Sequence, residues 1–390
     1  MVYFVELSKG NEAHSSLNYS MIKVLSFKYN KLKVFSSEQH LHAIHLDEED
    51  VRKISYQSIC VIEGNWKSWF GKVMLESYNA IKIFRKARID RPSFVYISSI
   101  FPISQLFIKI IKKFFPDIHV IIGLHGEMEF LKGDKSAKLR FLGWFLRNSF
   151  KISANNLKYV VFGGVIKKNL KSYNFVPQNS LLSIDHPYDY RDSKYQSIFS
   201  KPNGLRVGTI GIGSLNKKTH NLFLLADHFK NEVLLDQISF NLIGTMLPDL
   251  EPFVNAYVKT NGSNMILSKK EFEDKIFELH YSLFFYNNEF YSLCASGAFF
   301  DAVKFEKPIL AIKNDYFSYY FDQLGNIGYL FDNLEDMKVK IATLLFENCE
   351  QEYLQQVENL KKAKRKLSIE SISRDFFYQL RDTGFCDDLY

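Results

Sequence analysis

Short apolar runs alternate with stretches of helical periodicity along most of the chain, the pattern of a parallel sheet covered by helices on both faces. In the first half these runs predict strands at Val2–Leu7, Lys31–Phe35, Ile59–Glu63, Phe94–Ile97, His119–Leu124 and Tyr159–Phe162. The pattern then starts again. Leu205–Gly211 predicts a strand ending in a glycine loop, and Ile238–Ile243, Leu283–Tyr286 and Pro308–Ile312 predict its successors. Between the two sets, Asp185-His186-Pro187-Tyr188-Asp189 leads into a polar stretch that runs to Asn203-Gly204, the composition of a linker. Beyond Asp332 the pattern is helical and charged. The expectation is an α/β protein of two Rossmann-like domains facing across a cleft. Residues 1–185 form the first domain, 186–203 the linker and 204–365 the second domain, and a C-terminal helix over 366–390 can cross back to the first.

Pro92–Ile108 carries no charge and imitates a membrane span. Pro102, Ser93, Ser98, Ser99, Ser104 and Gln105 interrupt it, so it predicts a buried strand, a turn at Phe101-Pro102 and a helix. The opening MVYFVELSKG has no basic segment before its apolar run and reads as a first strand, not a leader. Four scattered cysteines, Cys60, Cys294, Cys349 and Cys386, form no metal or disulfide framework and suit a reducing cytosol.

With 46% hydrophobic and 24% charged residues over 390 positions, the composition suits two globular cores and excludes a disordered chain or a rod. Charge changes the picture more. Residues 1–200 hold 29 Lys and Arg against 17 Asp and Glu, a balance of +12, and the remainder is −5. A basic half suits a partner with fixed negative charge: nucleic acid, anionic lipid or a phosphorylated substrate.

Ligands of such sheets bind at the carboxyl ends of the strands. There, Gly211-Ile212-Gly213-Ser214 keeps two glycines of a dinucleotide loop, with Asn216 where the third would stand, so the usual NAD fingerprint is absent. Lys217 and Lys218 precede a helix expected over Asn221–Phe229, and cations beside helix N-terminal amides suit a diphosphate. Further on, Tyr291 leads to Ser296-Gly297, which opens a helix bearing Asp301, and Pro308 starts the next strand. Small residues admit a phosphate to free amides, and a carboxylate one turn on can accept hydrogen bonds from two ribose hydroxyls.

Together these motifs resemble the GT-B fold nucleotide-sugar glycosyltransferases, in particular family 4-like enzymes of bacterial surface-polysaccharide synthesis. The resemblance spans nearly the whole chain in element order and is specific in the C-terminal half. Asp301-Ala302 followed by Pro308 is similar to the second acid of the family's Glu-x(7)-Glu motif, and Lys218 falls where the family's diphosphate-binding lysine lies. The departures are Ile212, in place of the usual arginine, and Leu293, in place of the first glutamate. The resemblance implies a donor site of Gly211, Gly213, Lys218, Gly244, Tyr291, Ser296, Gly297 and Asp301. It implies a hexose moved from a nucleotide diphosphate sugar, UDP-sugar favoured, to a glycan acceptor on a lipid diphosphate, in polysaccharide or O-antigen (lipopolysaccharide) synthesis. No cofactor is expected, and phosphate charge would be neutralised by protein groups.

The first half then becomes the acceptor domain, with Gly10 and Asn11 after the first strand. His14 opens the next helix. His125, beside Glu127 after the strand His119–Leu124, resembles the family histidine next to the transferred sugar. His125, Glu127 and His14 are the candidate catalytic groups. His40, His42 and His45 lack a carboxylate or thiolate in register and read as a surface strand and loop, and no Asp-x-Asp motif appears; no metal site is expected. The segment Lys135–Lys151 interleaves basic, aromatic and aliphatic residues, and Lys109, Lys112 and Lys113 stand near Phe114 and Phe115. Both suit an anionic membrane surface, and with it a peripheral cytoplasmic location. Two other readings are a non-catalytic GT-B-like scaffold and a nucleic-acid-binding protein. The second lacks any RNP, KH, zinc-finger or helix-turn-helix pattern, so no nucleic-acid partner is expected.

Overall fold

The structure is a computed structural model and describes residues 1–385 except 45, 47–51, 64–67, 134–135 and 192–203. Thirteen strands and fourteen α-helices are assigned among the described residues. In order they are β1 (Val2–Val5), α1 (Ser15–Ser26), β2 (Leu32–Ser36), α2 (Glu38–Ile44), β3 (Ile54–Ser58), α3 (Trp69–Asp90), β4 (Val95–Ile97), α4 (Pro102–Lys112), β5 (Val120–Leu124), α5 (Ala137–Lys151), β6 (Leu157–Phe162), α6 (Gly164–Ser172) and β7 (Leu181–Ile184). Then come β8 (Leu205–Ile210), α7 (His220–His228), α8 (Lys230–Leu234), β9 (Ile238–Ile243), β10 (Val258–Lys259), α9 (Lys269–Glu278), β11 (Tyr281–Phe284), α10 (Gly297–Lys304), β12 (Ile309–Ile312), α11 (Asp315–Leu324), β13 (Gly328–Phe331), α12 (Leu334–Phe346), α13 (Glu350–Lys366) and α14 (Ile369–Asp382).

The chain divides into two compact units: Met1–Asp189 with Leu293–Ala295 and the stretch from Leu367, and Tyr190–Ser292 with Ser296–Lys366. The first unit holds a seven-stranded sheet in the order β3-β2-β1-β4-β5-β6-β7, and the second a six-stranded sheet in the order β10-β9-β8-β11-β12-β13. Every pairing in both sheets is parallel. Each order reverses direction beside the first strand of its unit, at β1/β4 and at β8/β11, which is the switch point of a doubly wound sheet. The expected fold class of two parallel-sheet α/β domains is therefore observed.

The central strands are apolar because helices cover both their faces: Val2, Tyr3, Phe4, Val95, Ile121 and Val160 are fully buried, as are Leu205, Val207, Leu283 and Leu310 in the second unit. Helix α14 packs in the first unit. The Ser373 hydroxyl donates to the carbonyl of Val24 at 2.9 Å, and the Gln379 amide donates to Ser183 at 2.6 Å. Local chemistry starts several helices: Ser268 and Glu271 cap α9 reciprocally, and Asn314 and Asn333 cap α11 and α12.

Four expectations need correction. The strand expected at Ile59–Glu63 lies earlier, at Ile54–Ser58, where polar and apolar residues alternate on a half-exposed edge. The strand expected at Leu283–Tyr286 begins two residues sooner, at Tyr281. His40 and His42 lie in helix α2, and His40 is fully buried, hydrogen-bonded to Asn18 at 2.8 Å and to the carbonyl of Asn11; His45 lies outside the described residues. Lys109 and Lys112 are buried rather than part of a basic surface. The Lys112 ammonium donates to the carbonyls of Phe115 and Asn155, both at 2.8 Å, and that of Lys109 stands 5.3 Å from the Tyr159 ring centre. Burial pulls both ammonium groups down to about 8.

Candidate functional site

In the first unit, Glu6 continues β1 into the loop that precedes α1, and it is fully buried. Such a carboxylate must be satisfied by donors. It accepts the amides of Ser8 and Lys9 at 2.8 and 3.0 Å, the side-chain amide of Asn18 at 2.9 Å and the Ser99 hydroxyl. Asn18 in turn accepts from the Ser98 hydroxyl. The loop is thereby locked to β4 and α1 from inside. From its other side, Glu63 accepts the backbone amides of Gly10 and Asn11 and the Asn11 side chain.

This loop presents His14. Its backbone is left-handed (φ 65°), its ring centre lies 4.7 Å from that of His125, and its Nδ1 is buried without a partner. Burial, and then the neighbouring His125, hold the His14 imidazole down to about 2, so it is neutral in ordinary buffers. His125 follows β5. Its Nε2 lies 2.7 Å from the carbonyl oxygen of Ser98 and must carry a hydrogen to donate there. The Glu127 carboxylate accepts the backbone amide of His125 at 2.9 Å and so stiffens the same turn. On its far side His125 packs on Phe162, which packs on His186; burial lowers His186 to about 4. The structure therefore brings His14, His125 and Glu127 together, and adds Glu6, Asn18, Ser98 and His186, which sequence reading passed over. A charged residue inside the apolar run VYFVEL was the available signal for Glu6.

The second unit is built differently. After β8 the amide of Gly211 donates to Ile243 at 2.8 Å and that of Gly213 to Thr245 at 2.9 Å, so the loops after β8 and β9 run side by side. A Cβ on Gly244 (φ 128°) would lie 2.3 Å from the carbonyl oxygen of Gly211, so only glycine permits this approach. A Cβ on Gly211 would reach to 3.8 Å from that of Ala298, which puts the loop at the start of α10. Ser296 is the N-cap of that helix, with no side-chain bond to it, and space beside Gly297 is open. Asp301 lies half-buried one turn further on.

The two lysines diverge. Lys218 takes a left-handed backbone (φ 54°) and lies beside His220, whose pKa it helps to lower after the larger effect of burial. Lys217 instead holds its ammonium 5.5 Å from the ring centre of Tyr286. Tyr286 stacks on Tyr291 at 4.3 Å, and its hydroxyl lies 3.5 Å from that of Ser296. Lys217, Tyr286, Tyr291 and Ser296 thus share one corner beside the first turn of α10. The sequence offered both lysines for a diphosphate but only Lys218 for the donor site, and gave no sign of Tyr286; nothing local distinguishes two adjacent lysines until the left-handed residue is known. Among the described residues no group of three or more His, Cys, Asp and Glu is placed to hold a metal ion.

No protein-family model matches the chain, and no curated protein matches it by sequence. Solved structures do match over nearly its whole length. The Candida albicans trehalose-6-phosphate phosphatase N-terminal domain aligns with a TM-score of 0.64 at 9% identity, covering 98% of this chain and 97% of its own. The Neisseria meningitidis UDP-GlcNAc 2-epimerase, solved with UDP-GlcNAc, gives 0.54 at 14% identity, covering 98% and 100%. The glycosyltransferase of kitacinnamycin gives 0.53 at 11% identity, covering 97% and 98%. At such identities the likeness establishes the fold, and the fold is the two-domain α/β architecture of GT-B-like proteins.

Proposed function

We propose that this chain is a glycosyltransferase that moves a hexose from a nucleotide diphosphate sugar, UDP-sugar favoured, to a glycan acceptor carried on a lipid diphosphate, in polysaccharide or O-antigen synthesis. The observation that carries this reading is the corner of the second unit where a two-glycine loop meets the start of α10 with the Lys217 ammonium at hand. Free helix amides, small residues and a cation are what a diphosphate requires. In this reading Lys217 neutralises the diphosphate, aided by Lys218; the amides at Ser296 and Gly297 approach it, and Asp301 accepts from the ribose hydroxyls. The glycosyl bond breaks to leave a nucleoside diphosphate, so the catalytic work of this unit is stabilising charge on the leaving group.

The first unit supplies the group at the sugar. In this reading His125 takes that role, because burial makes His14 a very weak base and Glu127 is engaged by a backbone amide in its own turn. The exposed cations of α5, Lys138, Arg140 and Lys151, dock the protein on anionic membrane where a lipid-linked acceptor is presented. No helix among the described residues is long and apolar enough to cross a membrane. The test is incubation of the full chain with a panel of nucleotide sugars and a lipid-diphosphate-linked saccharide. Sugar transferred to the lipid, with nucleoside diphosphate released in equal amount, is the expected result. Release of a free or epimerised sugar, or no turnover with any donor, would contradict it.

A further inference from the structure

Helices α3, α4 and α5 of the first unit leave a groove of about 460 Å³ at the surface. Its walls include Phe70 and Met74 of α3, Phe107 and Ile110 of α4, and Phe145 of α5, and Ser77 supplies its single polar side chain. The Ser77 hydroxyl is buried, so the surface that the groove presents is apolar. On α3 the residues Phe70, Met74 and Tyr78, spaced four apart, are 79, 58 and 57% exposed. A solvated helix face carries the reverse pattern, and contiguous apolar exposure of this kind marks a binding surface. The apolar surface continues onto α5: Phe141 stacks on Trp69 at 6.3 Å, and Trp144 packs edge-on against Phe145 at 4.9 Å.

Cations stand beside this apolar surface. Lys138 stands 5.4 Å from the Trp69 ring centre and Lys82 stands 5.3 Å from that of Tyr78. Lys113 and Arg140 are exposed nearby in sequence to Phe114 and Phe141. Helices α4 and α5 contain no carboxylate at all. The two on α3 are spent elsewhere: Glu76 is buried beside Lys72, and Asp90, at the far end, binds Tyr3, Lys33 and Lys86.

We infer that this groove takes a hydrocarbon chain of an anionic membrane phospholipid, with Lys82, Lys113, Lys138 and Arg140 around it receiving the headgroups. An apolar slot of this size, lacking polar anchors and surrounded by cations, is complementary to an anionic amphiphile. This deepens the membrane-docking part of the proposed function and adds to it an insertion of lipid into protein, independent of any glycosyl transfer.

Trp69 lines the groove and Trp144 touches Phe145 in its wall, so intrinsic fluorescence reports occupancy. Full-length protein is mixed with vesicles of phosphatidylcholine alone or with phosphatidylglycerol, the acyl chains brominated, in the absence of donor and acceptor. Brominated chains quench tryptophan only on close approach. The expected result is quenching by vesicles containing phosphatidylglycerol, at least ten-fold weaker binding to neutral ones, and loss of quenching in the double variant Met74→Asp/Ile110→Asp. Both positions are exposed, so the variant is expected to fold, which circular dichroism checks. Lys138→Glu/Arg140→Glu should weaken vesicle binding several-fold yet leave the quenching at saturating lipid. Salt-sensitive vesicle binding without quenching, quenching unchanged by the groove variant, no vesicle binding, or a groove variant that alters only self-association would each overturn the inference. A failure of sugar transfer alone would contradict the proposed function and leave this result standing.

Discussion

The two units share a sheet architecture but finish the carboxyl ends of their strands in opposite ways. In the first, the loop after β1 is closed by a buried carboxylate with four donors and lies beside two imidazoles in tilted contact. In the second, the corresponding loop is glycine and open space at the start of a helix, with a lysine over an aromatic ring. The first arrangement holds its side chains by burial and hydrogen bonds and keeps His14 neutral. The second brings two glycine loops together and leaves open space beside Gly297. In the proposed function the first arrangement serves the sugar and acceptor and the second the diphosphate, and the fold alone dictates neither.

The sharpest way to break this contrast is His125→Ala. If the first unit carries the chemistry, turnover should fall by about 10²–10⁴-fold while nucleotide affinity stays near wild type. Equal losses in both would move His125 into the binding machinery. Next in size is Gly244→Ala, which forces a Cβ to 2.3 Å from the carbonyl of Gly211 at a φ of 128°. It should cost about 3 kcal/mol, and hydrogen exchange should show the loss in peptides of β8 and β9 while those of β1 and β5 keep their protection. An unchanged exchange pattern would show that the loops are not held together as described.

A smaller effect separates the units by pH. His14 and His186 are held at about 2 and about 4 by burial. Depressed histidines contribute stability that is complete above their unfolded value near 6.5 and is lost as pH falls below it. Moving from pH 7 to 5 should therefore cost about 2 kcal/mol or less for each, felt in the first unit. Protection factors around residues 8–18 and 119–128 should fall relative to those around Gly211. Replacing His14 by Gln should remove part of the difference, and a variant with wild-type pH dependence would remove His14 from the account.

How much of this was written in the sequence follows from where each residue gets its environment. The central strands were legible because burial on both faces makes them continuous apolar runs. Edge strands were not: β3 alternates, β7 is four residues long and β10 only two. Their pairing depends on a neighbour that no local pattern reveals. The glycine loop at Gly211 and the helix start at Ser296-Gly297 were readable because backbone constraints show in residue type. The choice between Lys217 and Lys218 was not, since it depends on which of two neighbours takes the left-handed backbone. The charge count of the first half misled in one respect. Lys72, Lys109 and Lys112 are buried, where carbonyl oxygens and aromatic rings surround the ammonium groups, and they add nothing to a basic surface.

The division of labour between the units is tested most directly by calorimetric titration of UDP into the wild-type chain and the variants Lys217→Ala, Lys218→Ala, Asp301→Ala and His125→Ala. Losing one charge-assisted contact to a bound anion costs about 1.5–3 kcal/mol, so Lys217→Ala and Asp301→Ala should each weaken UDP by about ten-fold or more. Lys218→Ala should weaken it less, and His125→Ala should leave it unchanged. Wild-type affinity in both Lys217→Ala and Asp301→Ala, or a loss confined to His125→Ala, would contradict the assignment of the nucleotide to the second unit.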